Sequence, residues 1–153
     1  MNHDFAEMLK LLAAESVEFL VVGGYAVAGH GVPRATGDID LWIRPTDENA
    51  ARVWRALGEF GAPRSRLSPA SFTEPDVVYQ IGSPPHRIDF LTTIDGVDFA
   101  AAWPERVRCT VDGIEFPMLS LKHLLENKRA TGRPQDLADI ARLQEVARHA
   151  DGQ

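Results

Sequence analysis

The chain has 153 residues, with 16 lysines and arginines against 22 aspartates and glutamates, and its formal net charge is −6. This length is typical of one domain, which we expect to span residues 1–153, and 44% apolar residues are enough to exclude an intrinsically disordered protein. The lone cysteine, Cys109, excludes an internal disulfide and a cysteine-rich zinc site.

The start of the chain contains no pattern of secretion or membrane insertion. No basic segment followed by an apolar run is present, so we expect no signal peptide. The longest apolar run near the start, Phe19–Val22, is far shorter than the ~20 residues that span a bilayer. We therefore expect a cytoplasmic protein without a membrane partner. The acidic balance argues against broad nucleic-acid binding, although it permits a local basic cleft.

The first third of the chain alternates between helical and strand patterns. Apolar residues at helical spacing predict an amphipathic helix over residues 4–15. The β-branched run Val17–Val22 predicts a buried strand, and the alanine-rich segment Tyr25–Gly31 predicts a short helix. Asp38–Ile43 alternates strictly between apolar and other residues, which indicates a strand with one face in the core.

The rest of the chain adds three helices and four strands. Thr46 is a predicted N-cap, and its helix ends at Gly61-Ala62-Pro63. The other predicted elements are strands Val77–Ile81 and Arg87–Thr92, a hairpin of Val107–Val111 and Ile114–Phe116 around Asp112-Gly113, a helix from the cap Ser120 to Thr131, and a helix from Pro134 to about His149. This order predicts an α+β fold: a mixed β-sheet flanked by helices, with its core at about 17–117 and a C-terminal helical pair at about 120–149.

Two carboxylates occupy the strand Asp38–Ile43 at positions i and i+2. Asp38 and Asp40 therefore point the same way, about 6–7 Å apart along the backbone. No residue of opposite charge lies between them in the sequence, so we expect the two ionised groups to repel each other. A divalent cation would remove this repulsion, and hard oxygen ligands of this kind suit Mg²⁺. The alternative is a solvated strand face.

A third carboxylate, Asp89, lies on the predicted strand Arg87–Thr92. If this strand pairs beside Asp38–Ile43, Asp89 joins the same site. Three acids on adjacent strands can hold two metals ~3.5–4 Å apart, as in phosphoryl and nucleotidyl transfer. We therefore predict that Asp38, Asp40 and Asp89 are the catalytic residues and the ligands of Mg²⁺, or of Mn²⁺. The alternative for Asp89 is an ion pair with Arg87 or His86.

Gly23 and Gly24 follow a buried strand and come just before a helix. They would let the backbone approach a phosphate closely, while the helix N-terminus offers N–H donors. A simple tight turn is the alternative. Their spacing to Gly29 and Gly31 matches neither a dinucleotide-binding fingerprint nor a P-loop. We include Gly23, Gly24 and the following Tyr25 among the predicted nucleotide-binding residues.

These motifs together resemble those of the nucleotidyltransferase superfamily related to DNA polymerase β, and most closely its small bacterial AbiEii- and MenA-like members. The resemblance rests on Val21-Val22-Gly23-Gly24, Gly37-Asp38-Ile39-Asp40-Leu41, Ile88-Asp89-Phe90 and the segment 121–139. It implies the nucleotidyltransferase fold and transfer of a nucleoside monophosphate from an NTP such as ATP to a hydroxyl group, with Mg²⁺. Many catalytic members carry Ser or Thr after the glycines, where this chain has Tyr25.

Three basic residues are candidates for contact with the triphosphate. Lys128 continues the apolar stripe of the helix that begins after Ser120, so it either reaches a negative group in a cleft or extends to solvent. A triphosphate and a structural pair with Asp136 or Asp139 are both open as its partner. Arg34 and Arg133 are candidates for the same role, with a solvated side chain as the alternative for each.

The sequence therefore predicts a Mg²⁺-dependent nucleotidyltransferase. Its acceptor would be an RNA 3′ end such as that of tRNA, a small molecule, or a protein side chain. Analogy with the family suggests a component of a toxin–antitoxin pair, with an antitoxin as protein partner. A non-catalytic module that binds a nucleotide or a protein on the same fold is the alternative of another class. A two-metal phosphohydrolase, which would use water as the acceptor, is a third reading.

Overall fold

The fold was analysed in a computed structural model that describes residues 1–151. The helices are α1 (His3–Ala14), α2 (Gly23–Gly29), α3 (Asp47–Phe60), α4 (Phe99–Ala102), α5 (Leu121–Thr131) and α6 (Pro134–Asp151). The strands are β1 (Phe19–Val22), β2 (Asp38–Ile43), β3 (Val78–Ser83), β4 (His86–Leu91), β5 (Val107–Val111) and β6 (Ile114–Met118). The predicted α+β class and mixed sheet are confirmed.

The six strands form one sheet in the order β3-β4-β2-β1-β6-β5. β1 pairs antiparallel with β2, while β2 pairs parallel with β4. On the other side, β1 pairs parallel with β6, and hairpins join β3 to β4 and β5 to β6. The strands that carry the three aspartates therefore lie side by side, next to the strand that ends at Val22, just before Gly23.

Helices cover both faces of the sheet, and each face has its own apolar cluster. On one face, Ile39, Leu41 and Ile43 of β2 pack with buried residues of α1 and α3. On the other face, Trp42 packs with buried residues of α2, α4, α5 and α6. Because strand side chains alternate, Asp38 and Asp40 lie on the second face, below the C-terminal helices.

Sequence signals for helix ends are mostly confirmed. Thr46 accepts a hydrogen bond from the amide of Asn49 at 3.3 Å, and Gly61 ends α3 with a left-handed backbone. Ser120 accepts a bond from the amide of His123 at 3.2 Å, and Pro134 is the first residue of α6. No helix within residues 1–151 combines the length and apolar character needed to cross a bilayer.

The structure differs from the sequence-based elements at several places. α2 begins at Gly23 instead of Tyr25, so both glycines belong to the helix and do not precede it. β1 begins two residues later than predicted, after a left-handed backbone at Ser16. Three short segments were not predicted, because one turn is too brief to show helical spacing: α4 and the 3₁₀ helices Pro69–Thr73 and Trp103–Glu105.

Candidate active site

The site is built around the junction of β1 and α2. Val22, the last residue of β1, pairs with Asp40 of β2. Gly23 follows with φ of +68°, and a Cβ atom there would lie 2.2 Å from Oδ2 of Asp40. The carboxylate of Asp40 therefore packs directly on the Gly23 backbone. Glycine satisfies both constraints, since it tolerates positive φ and leaves room for the carboxylate.

The register of the sheet brings the three aspartates together. Asp40 of β2 is paired with Asp89 of the parallel strand β4. Asp38 lies on the same face of β2, one pleat before Asp40. Asp89 is buried, with 6% of its surface exposed. Two strands thus place three carboxylates on the face that is covered by the C-terminal helices.

Crowding of these carboxylates changes the acidity of Asp40. The pKa of Asp40 is raised to about 6, first by burial and then by the negative charges of Asp89 and Asp38, while Arg87 acts in the opposite direction. Desolvation and like charges both penalise the ionised form. An added cation would therefore favour the ionised form of Asp40.

Arg87 supplies a positive charge that the spacing of Asp38 and Asp40 did not indicate. Its Nε and Nη2 atoms donate to the two oxygens of Asp89 at 2.7 and 3.0 Å. The same Nη2 lies 3.3 Å from Oδ2 of Asp38. The expected repulsion between Asp38 and Asp40 left this cation out of account: it comes from the neighbouring strand and offsets part of the negative charge of the group. The ion pair of Asp89 with Arg87, the alternative for this residue, is present.

The donor set fits Mg²⁺, which binds through one or two carboxylates together with water and phosphate oxygens. Asp38 and Asp40 could hold such an ion, with Asp89 beside them. Within residues 1–151, a closer cluster of possible ligand atoms, all within 4.8 Å of one another, is formed by His3, Asp4 and Glu7. The sheet aspartates do not meet this distance, and Arg87 stands between two of them. The His3 cluster lies on the exposed side of α1, outside the cavity that Asp40 lines.

A cavity of about 250 Å³ opens next to Asp40, between the sheet and the C-terminal helices. One wall contains Val22, Gly23 and the segment that follows β4, and the other contains residues of α5 and α6. Among the predicted site residues, it is lined by Gly23, Asp40, Lys128 and Arg133. The cavity thus joins the acidic group to two of the predicted cations.

A larger cavity of about 550 Å³ lies elsewhere, at the start of β1. It is lined by residues such as Glu18, Arg52 and Trp103, and contains none of the predicted site residues. Size alone would favour this cavity. We assign the reaction to the smaller cavity because Asp40, whose pKa is raised, lines it.

The three predicted cations are all bound to carboxylates of α6. Lys128 is buried, and its Nζ lies 3.0 Å from Asp139 and 3.4 Å from Asp136. Arg34 donates two bonds to Asp139, at 2.8 and 2.9 Å. Arg133 donates to Asp136 at 2.7 Å, and these bonds hold the pKa of Asp136 well below its usual range. The structural pair that the sequence left open for Lys128 is therefore present.

Five predicted site residues lie outside the cavity lining: Asp38, Asp89 and Arg34, whose contacts are given above, and Gly24 and Tyr25. The ring of Tyr25 packs edge-on against Phe5 at 5.9 Å, on the opposite face of the sheet from the aspartates, and burial raises the pKa of its hydroxyl. Gly24 lies under the side chains of Thr36 and Arg34, within 3.2–3.4 Å of where a Cβ atom would be. Neither placement brings a side chain to the acidic group.

Sequence reasoning missed polar residues of the cavity wall. Thr93 and Asp95 follow β4, and Asn127 and Thr131 are on α5. Asn127 donates a hydrogen bond to the backbone oxygen of Asp95 at 2.9 Å, which ties the two walls together. Their signal in the sequence is weak, because it depends on the pairing of β4 with a helix 30 residues further along.

Comparison with known proteins identifies the family and a similar fold. Residues 1–153 match the family described as "Nucleotidyl transferase of unknown function (DUF2204)", so the chain belongs to that family. Among solved structures, it is similar to a crystal structure of a "putative nucleotidyltransferase" from Thermotoga maritima. The two share 19% identity with a TM-score of 0.55, over 97% of this chain and 91% of that chain, a likeness of fold. No curated protein matches the chain.

Proposed function

We propose that the protein is a Mg²⁺-dependent nucleotidyltransferase that moves a nucleoside monophosphate from an NTP to a hydroxyl acceptor. One observation carries the proposal: Asp40 lies beside Asp89 and on Gly23, and it lines a cavity together with Lys128 and Arg133. Membership of a nucleotidyl transferase family supports the same chemistry. Asp38 and Asp40 would hold the ion, which when bound would neutralise the charge of the triphosphate.

The reaction requires a bond between the acceptor oxygen and the α-phosphorus to form while the bond to the pyrophosphate leaving group breaks. Asp89 is the group that we assign to receive the acceptor proton, since it lies next to Asp40 on the adjacent strand. Gly23, with no side chain, leaves room for the Asp40 carboxylate, and both residues line the cavity that would receive the triphosphate. Lys128 and Arg133 would face the triphosphate from the opposite wall.

A radiolabel transfer assay tests this function. The protein is incubated with each α-labelled NTP, Mg²⁺ or Mn²⁺, and in turn total RNA, a panel of hydroxyl-bearing small molecules, and protein acceptors. We expect metal-dependent transfer that falls by about 10²-fold or more in Asp40→Asn. The matched control is Asp98→Asn, because Asp98 is exposed and its side chain makes no capping bond at α4. Equal loss in both variants, or no transfer with any acceptor, contradicts the proposal.

The same assay separates the other readings. A catalytically silent binding module is favoured by one observation, namely that Lys128, Arg34 and Arg133 already have carboxylate partners. Nucleotide binding that is indifferent to metal, without transfer, would support that reading. Release of phosphate without transfer would support a phosphohydrolase. Label on RNA 3′ ends or on a protein would support our finer proposal of an AbiEii- or MenA-like enzyme of a toxin–antitoxin pair.

A further inference from the structure

Arg87 is placed to act as a cation of the acidic site. It lies two residues before Asp89 on β4, on the same face, and opposite Asp38 in the parallel register. Its guanidinium forms a two-bond pair with Asp89 and also contacts Asp38 at 3.3 Å. One side chain therefore bridges two of the three carboxylates across adjacent strands. In the described part of the chain, no such bond joins Arg87 to Asp40.

The charges of this group define how many divalent ions it can balance. Three ionised aspartates carry −3, and Arg87 reduces this to −2, which a single divalent ion neutralises. Two divalent ions beside Arg87 would leave the cluster with an excess of positive charge. Asp89 would also have to give up its pair with Arg87 before both of its oxygens could reach a metal. Charge and geometry thus disfavour a second tightly held ion.

We propose that Arg87 is the resident cation of this site: it holds Asp38 and Asp89 in place and restricts the protein to one tightly bound divalent ion, on Asp40 and Asp38. This inference rests on the proposed function only for the location of the metal. Arg87 is a positioning residue, because it acts through the two carboxylates that it holds. Its planar fork suits this role better than the single ammonium of lysine.

Binding of Mn²⁺ alone, without nucleotide, tests the inference. Free and bound Mn²⁺ are counted by electron paramagnetic resonance, and affinities are measured by calorimetry. We expect one tight ion in the wild type, and in Arg87→Gln either a second ion or an affinity higher by about tenfold or more. Arg87→Lys keeps the charge and should bind one ion. Arg55→Gln is the control for net charge, because Arg55 is an arginine of α3 paired with Glu15.

Thermal unfolding distinguishes this role from that of an ordinary ion pair. Without metal, Arg87→Gln should unfold at a lower temperature than the wild type, since two carboxylates lose their partner. Added Mn²⁺ should raise the unfolding temperature of Arg87→Gln by more than it raises that of the wild type. A structural pair alone would lower stability without strengthening Mn²⁺ binding. The double variant Arg87→Gln/Asp89→Asn restores a charge of −2 and should return to one ion.

Several outcomes overturn the inference. Unchanged Mn²⁺ number and affinity in Arg87→Gln would do so, as would two tight ions in the wild type, or no Mn²⁺ bound by either protein. If Arg87→Gln does not fold, the double variant and Arg87→Lys still test the inference, because a second tight ion in either would contradict the charge balance. The inference and the proposed function can fail separately. Label transfer by the wild type together with unaltered Mn²⁺ binding in Arg87→Gln would contradict only the inference. The expected Mn²⁺ binding without any label transfer would contradict only the enzymatic function.

Discussion

Asp40 is the residue whose protonation most directly links the site to stability. The pKa of Asp40 is raised from 3.8 to about 6, first by burial and then by Asp89 and Asp38. A raised pKa means that folding favours the protonated form. The stabilisation from protonated Asp40 is therefore fully present below pH 3.8 and is lost as the pH rises through about 6.

Replacing this carboxyl group should reveal that loss. A shift of this size corresponds to roughly 2–3 kcal/mol. We expect metal-free Asp40→Asn to exceed the wild type in free energy of unfolding by about 2 kcal/mol at pH 7, and to match it near pH 4. Urea denaturation from pH 4 to 7 in the presence of a chelator measures the difference. Asp98→Asn should show no such trend, and a gap of constant size in Asp40→Asn would contradict the raised pKa.

For single residues, the sequence predicted that Asp38, Asp40 and Asp89 lie close together, but not that Arg87 bridges two of them. Alternation along β2 was enough to place Asp38 and Asp40 on one face. The position of Arg87 relative to Asp38 depends on the register of two strands separated by more than 40 residues. Periodicity within one strand contains no information about that register, so the bridging cation could be found only from the folded chain.

At the scale of the element, the junction of β1 with α2 sets the position of Asp40. Gly23 has positive φ and would place a Cβ atom 2.2 Å from Asp40, whereas Gly61 at the end of α3 has a φ of +86° with nothing within 4 Å. The two glycines therefore share a backbone requirement and differ in their surroundings. Comparing an alanine substitution at each glycine therefore distinguishes the effect of backbone strain from the effect of displacing the Asp40 carboxylate.

We expect Gly61→Ala to lower the free energy of unfolding by about 1 kcal/mol and to leave label transfer unchanged. Gly23→Ala should lower the free energy of unfolding by about 2–4 kcal/mol, because backbone strain and a steric clash with Asp40 add. It should also abolish label transfer. Urea denaturation and the labelled-NTP assay measure the two effects. Full transfer activity in a folded Gly23→Ala protein would show that the approach of Asp40 to this backbone is not required.

Element boundaries show a similar division between local and tertiary information. Caps at Thr46 and Ser120 could be predicted, because a capping side chain bonds an amide three residues away. Asn49 of α3 could not: it is buried, accepts from the amide of Glu18 at 2.7 Å and donates to the backbone oxygens of Glu18 and Arg44. It joins a helix to two strands, a role that appears only when the three are packed.

At the scale of the whole molecule, buried charges connect the C-terminal helices to the rest of the site. Asp136 and Asp139 are each 1% exposed and bind Lys128 of α5. Arg34, from the segment between α2 and β2, adds the second partner of Asp139. The wall of the cavity is thus positioned by ion pairs, and Lys128 is both part of that network and part of the lining.

Two substitutions in this network separate its structural role from contact with a nucleotide. Asp139→Asn leaves Arg34 without its paired carboxylate and weakens the pairing of Lys128. We therefore expect the free energy of unfolding to fall by about 3 kcal/mol or more. Lys128→Met removes the ammonium and keeps an unbranched side chain one atom shorter, while Asp139 retains Arg34 and Asp136 retains Arg133. We expect a smaller loss of about 1–2 kcal/mol, because each carboxylate still has a partner.

Nucleotide kinetics then decide the role of Lys128. If its ammonium faces the triphosphate, Lys128→Met should raise the KM for NTP, or lower kcat/KM, by about tenfold or more under conditions in which the variant is fully folded. Urea denaturation sets those conditions, and saturation curves with labelled NTP measure the effect. Wild-type kinetics in a folded Lys128→Met protein would assign Lys128 to the network alone. The triphosphate would then depend on Arg133, whose side chain is 72% exposed at the cavity rim.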